Sequence, residues 1–210
     1  AQEALVGCYD ALQLIYAGGV AAPVASDVMS DLCFGATGAG DSDGYPRIDS
    51  YDKNLSTSDV NMFEDNWKNY YKGIFRCNTL IMKLENVDWG TQTALKSSVE
   101  AEARFLRAYF YFDMVRLWEK VPLLTTPSND NIPQATPEEI YKIITEDLLF
   151  AAENGSSKQY GQIASTEYGH ASKWAAEGLL ARVFLFYTGY YGKDDLVGLV
   201  TKDKALAMTE

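Results

Sequence analysis

Five residues, Tyr45, Arg47, Tyr51, Asn54 and Trp89, have the types that recognise a sugar and fall where no helical period runs. A pyranose offers apolar C–H faces that stack on Tyr or Trp rings, and hydroxyls that need Arg, Asn or a carboxylate. Packing of a loop against helices would use the same tyrosines, so either role is open to Tyr45 and Tyr51. Trp67 shares a helical face with Tyr70, Tyr71 and Ile74 and reads as packing.

Other chemistry finds little support. The chain has no G-x-S-x-G, no H-E-x-x-H and no P-loop. Its one histidine, His170, has no recognisable partner in sequence and reads as a polar surface or core-edge residue on a helix. Asp41-Ser42-Asp43-Gly44 is similar to the opening of a calcium loop. The sixth and twelfth positions are Pro46 and Asp52, where an EF-hand needs Gly and Glu, so a solvated turn is expected. No metal or cofactor is expected, and no catalytic residue. Glu102, Arg104 and Arg107 lie in the most apolar stretch, where charges are costly unless paired. A structural ion-pair network is the favoured role, with anion recognition second. Asp113 and Arg116 have the i,i+3 spacing of a helical pair.

The elements that must position these residues are helical. Ala4, Leu5, Cys8, Leu12, Ile15 and Tyr16 mark a helix over Glu3–Ala17, and Cys8 is one of its core positions rather than a lipidation site. Residues 20–55 are rich in Gly and Asp and are expected to form a long irregular loop. A long helix is predicted from Asp59 to Glu85, then one from Thr93 to Trp118 that is apolar on two sides and therefore packed between neighbours. Thr136-Pro137-Glu138-Glu139 carries a capping box with Pro at the first helical position. A fifth helix is predicted from Thr166 to Tyr187. Another starts at Lys202 and is unfinished at Glu210, so the 210 residues read as one helical domain of a longer protein.

The net charge of −11, from 18 basic and 29 acidic residues, excludes binding to phosphate backbones or to an anionic membrane surface through a basic patch. No apolar run approaches the ~20 residues of a membrane span. Cys8, Cys33 and Cys77 form no CxxC pair and read as buried free thiols.

A weak repeat runs through the helices. Glu102 and Arg107, five apart and followed by a small residue and aromatics, match Glu177 and Arg182. Gly73-Ile74-Phe75-Arg76-Cys77 is a partial third copy, 31 residues before Arg107 when counted at Arg76. That step is close to the ~34 residues of a tetratricopeptide unit, so an all-α fold of antiparallel helix pairs is expected.

The segment Glu102 to Phe112, followed by Val121-Pro122-Leu123-Leu124, closely resembles the signature of the SusD/RagB family. Trp67 with Tyr71 through Asn78, Thr136 through Tyr141, and Lys173 through Val183 resemble its flanking blocks in order, so the likeness runs over residues 1–192. The resemblance implies the N-terminal portion of a starch- or glycan-utilisation lipoprotein of the Bacteroidetes outer membrane. Such a protein faces outward, is lipid-anchored in its full-length precursor, and delivers oligosaccharides to a TonB-dependent SusC-like transporter without acting as an enzyme. Glu119-Lys120 departs from the family's Gly-Asp before Val-Pro. No family motif places a ligand contact on this chain, so the five site residues rest on chemistry alone. A peptide- or protein-binding helical-repeat adaptor is the alternative. A glycosidase fragment would need two carboxylates in a deep cleft.

Overall fold

The computed structural model describes residues 1–17, 21–30, 32–35, 44–51, 63–128 and 130–209. Eight α-helices occur among them: α1 Gln2–Ala17, α2 Ala21–Met29, α3 Gly44–Asp49, α4 Glu64–Leu84, α5 Thr93–Trp118, α6 Pro137–Asn154, α7 Lys173–Tyr191 and α8 Lys202–Ala207. The described residues hold no strand, only isolated bridges such as Pro122 with Gln134.

Local chemistry sets the ends of these helices. At α6, Glu139 N–H donates to Thr136 Oγ1 at 3.3 Å, and Thr136 N–H donates to Glu139 Oε2 at 2.8 Å. This is the capping box read from the sequence, with Pro137 where a missing N–H does no harm. The α7 helix starts later than the predicted Thr166. Residues Ser165–Glu167 form a 3-10 turn, Gly169 takes φ +90°, and Ser172 accepts from Ala175 N–H to begin the helix. His170 therefore lies in a turn. At the far end the helix runs one turn beyond the predicted Tyr187, to Gly192 at φ 62° and ψ 41°, a left-handed stop.

The stretch expected to be irregular over 20–55 contains two short helices, α2 and α3, packed on each other. Pro23 and Pro46 lie near their helix starts, where proline is tolerated. Gly35 lies so near α3 that a Cβ there would stand 2.4 Å from the Tyr45 carbonyl oxygen. That close approach needs glycine. Cys33, expected to be buried, is exposed in the bend after α2, whereas Cys8 and Cys77 are buried free thiols.

α5 is the spine. It packs against α4 on one side and α6 on the other, with α1 and α7 also touching it. Ala103, Leu106, Phe110, Tyr111 and Met114 are buried on every face of it, which explains its lack of a polar side. α1 lies on α4 through Leu5, Cys8, Ala11 and Ile15, and α7 lies on α6 through Leu180, Val183 and Tyr187. Helices α4 to α7 pack each on the next in chain order, and the repeat copies at Arg76 and Arg107 fall on the adjacent helices α4 and α5, so the 31-residue step runs from one helix to the next. Gly73 lets α4 approach α5: a Cβ there would stand 2.6 Å from Phe110 Cε2. The α5–α6 connection is pinned by side chains. Tyr111 Oη donates to Leu124 O at 3.0 Å and accepts from Leu124 N–H at 2.7 Å, while Asn78 Nδ2 donates to the same carbonyl at 2.8 Å. Among the described residues no helix is long and apolar enough to cross a membrane.

Candidate functional site

The charged groups inside the spine are satisfied internally. Arg107, 5% exposed, donates through Nε to Asp147 Oδ2 and through Nη2 to Asp147 Oδ1, both at 2.7 Å. Its Nη1 donates to Asn78 Oδ1 at 2.7 Å and Thr125 O at 3.3 Å. Burial works against the guanidinium charge, but Asp147 outweighs burial and holds Arg107 above its ordinary pKa. Arg104 joins Asp147 at 3.2 Å and Glu100 at 2.6 Å. Arg116 pairs with Asp113 as the i,i+3 spacing predicted. The structural ion pairing expected of Arg104 and Arg107 thus holds, and the donors of Arg107 are spent on the protein itself, whereas Glu102 pairs with neither arginine.

His170, which the sequence left without a partner, has one. Its Nδ1 lies 2.7 Å from Glu102 Oε2, which also accepts from Tyr9 Oη at 2.6 Å. Tyr9 Oη in turn accepts from Ala171 N–H at 2.7 Å. The cluster ties α1, α5 and the turn before α7 together. Burial, then the Glu102 carboxylate, push the Tyr9 phenol far above its usual range, which suits a fixed donor. Nothing in this group resembles an activated nucleophile.

The structure describes four of the five sequence-predicted site residues, and they fall in two places. Tyr45 and Arg47 lie on helix α3, not in a loop, and both are partly buried. Tyr51 follows α3 and is 59% exposed. Its hydroxyl donates to Met29 O at 2.5 Å, and its backbone takes φ +50°, a conformation that non-glycine residues rarely adopt. The hydroxyl bond ties the side chain to α2 while more than half of the residue stays exposed. Asn54 lies outside the described residues, as do Asp41, Ser42 and Asp43 of the calcium-like turn. Trp89 belongs to the α4–α5 connection. Its indole N–H donates to Leu84 O at 2.9 Å and its ring packs on the core. The structure brings Tyr45, Arg47 and Tyr51 into one small element and leaves Trp89 to cap α4.

A second concavity was not found by sequence reasoning. It lies between the C-terminal ends of α5 and α7 and has a volume of about 470 Å³. Trp118, Phe186, Tyr190 and Tyr191 line it, with Arg116 and Glu119 among its polar groups. Phe186 and Tyr190, four apart on α7, stack with centroids 5.5 Å apart and planes inclined by 16°. Tyr190 and Tyr191 meet edge to face at 4.9 Å. Trp118 stands edge-on to Trp67 at 5.0 Å, which confirms the packing role read for Trp67. The signal was in the sequence: extending α7 by one turn puts Tyr190 on the face of Phe186.

Comparison with known proteins gives a consistent result. A family model described as "SusD-like_3: Starch-binding associating with outer membrane" matches residues 27–185. A SusD-like protein of Bacteroides ovatus is 30% identical over 149 residues, covering 69% of this chain and 24% of its own. SusD-like protein P25 of Formosa agariphila is 28% identical over 148 residues, or 66% of this chain and 27% of its own. Among solved structures, a laminarin binding SusD-like protein superposes with a TM-score of 0.76 at 27% identity. That match covers 99% of this chain and 41% of that one. Surface glycan-binding protein A from Bacteroides fluxus superposes at 0.74 with 26% identity, covering 91% and 40%. The chain thus spans about a quarter of the length of its curated relatives.

Proposed function

We propose that this chain, which belongs to the SusD/RagB family, forms part of a protein that binds oligosaccharides at the cell surface without transforming them. The observation that carries this reading is Tyr51. An exposed ring tethered through its own hydroxyl is a ready stacking surface for a sugar. Tyr45 and Arg47 on α3, and Asn54 three residues beyond Tyr51, supply the polar groups that such a ligand needs. Trp89 is a weaker member of the set, because its indole N–H is already engaged.

The protein of which this chain is part sits on the outer face of the outer membrane through a lipid anchor. It passes its glycan to a TonB-dependent SusC-like transporter. Support comes from the family description, which joins starch binding to association with the outer membrane, and from two structural neighbours, one laminarin-binding and one a surface glycan-binding protein.

The test is calorimetric titration of the full-length protein with maltohexaose and laminarihexaose. Wild type is expected to bind at least one, releasing no new reducing ends. Tyr51→Ala is expected to weaken binding about 2- to 10-fold, the effect of one aromatic contact, with no fall in Tm. Absence of binding across a wider glycan panel would refute the reading and favour the adaptor. Release of reducing ends would point to a glycosidase.

A further inference from the structure

The cleft between the ends of α5 and α7 lies apart from α2 and α3, and the spine's chemistry does not use it. Its volume of about 470 Å³ falls in the range of small-ligand sites. Its groups are of two kinds. Phe186 and Tyr190 stack nearly parallel, and Tyr190 is 68% exposed. Arg116 and Glu119 bring opposite charges to the same cleft. Arg116 lies over the Phe112 ring, 4.4 Å from its centroid, and pairs with Asp113. A cleft with both signs favours neither an anion nor a cation. It favours a neutral molecule with an apolar face and many hydroxyls.

Glu119 strengthens this reading. Its backbone stands at φ 60° and ψ −55°. A non-glycine residue there is strained, and glycine would hold the same turn without the clash of a Cβ. Strain of this kind is retained where the side chain does something, and the Glu119 side chain is exposed at the cleft. Next to Tyr191, with ring centroids 5.8 Å apart, the buried Tyr141 hydroxyl has no hydrogen-bond partner among the described residues. Tyr141 is fully buried and does not line the cleft, so its hydroxyl adds nothing to the cleft's recognition groups.

We propose that this cleft is a second carbohydrate-binding site, in which a neutral pyranose ring lies against Tyr190 and Glu119 accepts hydrogen bonds from its hydroxyls. The proposal rests on the glycan-binding reading above and adds a contact region distinct from Tyr51.

The full-length protein would be titrated with maltohexaose and laminarihexaose, as wild type and as Tyr190→Ala, Glu119→Gly and Tyr51→Ala. Tyr190→Ala is expected to weaken binding about 2- to 10-fold with an unchanged Tm, because its ring is mostly exposed. Glu119→Gly is expected to raise Tm by a few degrees through relief of strain and yet to weaken binding. A purely structural turn residue would gain stability and lose no affinity. If wild type binds and only Tyr51→Ala is impaired, the cleft proposal is overturned while the glycan-binding reading stands. If wild type binds neither these sugars nor a wider panel, both fall. A Glu119→Gly protein less stable than wild type would overturn the strain argument, and with it the role given to Glu119.

Discussion

Removing the Asp147 carboxylate of α6 strips the buried arginine of the spine of its counter-charge. Asp147 is 1% exposed and receives three donor contacts, two from Arg107 at 2.7 Å and one from Arg104 at 3.2 Å. In Asp147→Ala, Arg104 keeps Glu100, so its charge stays paired. Arg107 keeps only neutral acceptors, Asn78 Oδ1 and Thr125 O, both reached through Nη1. Its Nε and Nη2 are left without partners in a buried site. Breaking a buried pair from one side costs about 3–5 kcal/mol. A domain of this size loses about 2–4 °C in Tm per kcal/mol, so a fall of roughly 6–20 °C is expected. Replacing both partners with apolar residues, Arg107→Met with Asp147→Leu, should recover much of the loss, because neither charge remains buried alone. Recovery will be incomplete, since Asn78 Oδ1 loses its donor, at a cost of about 1–3 kcal/mol. Urea unfolding followed by circular dichroism measures all four corners of the cycle. The reasoning fails if Asp147→Ala costs less than about 1 kcal/mol, or if the double variant is as unstable as the two single losses added together.

Two further changes probe the helix pairs. Gly73→Ala should destabilise by about 1–3 kcal/mol, because its Cβ meets the Phe110 ring within a packed core; a neutral result in thermal unfolding would show that the α4–α5 contact is slack. Thr136→Ala should cost about 1 kcal/mol by losing the cap on α6. The same cap gives a pH signature. Thr136 N–H, then its hydroxyl, hold the Glu139 carboxyl below the ordinary carboxylate value. The stabilisation is therefore complete above the unfolded carboxylate pKa and is lost as pH falls through the lower folded value. Acid titration of wild type beside Glu139→Gln should show the difference between them shrinking only at the acid end.

What the sequence made legible was whatever depends on local pattern. The capping box at Thr136, the limits of α5, the apolar stripe of α4 and the i,i+3 pair of Asp113 with Arg116 are written in neighbouring residues, and each is present. The family signature was legible for the same reason: Glu102 to Phe112 is dictated by the demands of a helix buried on all faces. What was missed depends on contacts distant in sequence. His170 meets Glu102 across 68 positions, and no local pattern announces that. The predicted start of α7 failed because apolar periodicity does not register Gly169 at φ +90° or the cap at Ser172. Two short helices hid in the Gly- and Asp-rich stretch because nine and six residues are too few to show a period.

The signature residues Glu102 to Phe112 lie away from both proposed ligand contacts, Tyr51 and the cleft at the end of α5, for one physical reason. Between Val99 and Val115 a helix packed by α4, α6, α1 and α7 has no exposed residue, so its side chains answer to volume and to internal charge pairing. Groups free to meet a ligand lie where helices end, and there a turn can change without disturbing the core. Glu119 is such a place. The turn keeps a positive φ in the position where the family's glycine would adopt it freely. Glu119 keeps that backbone and puts a carboxylate beside an aromatic cleft.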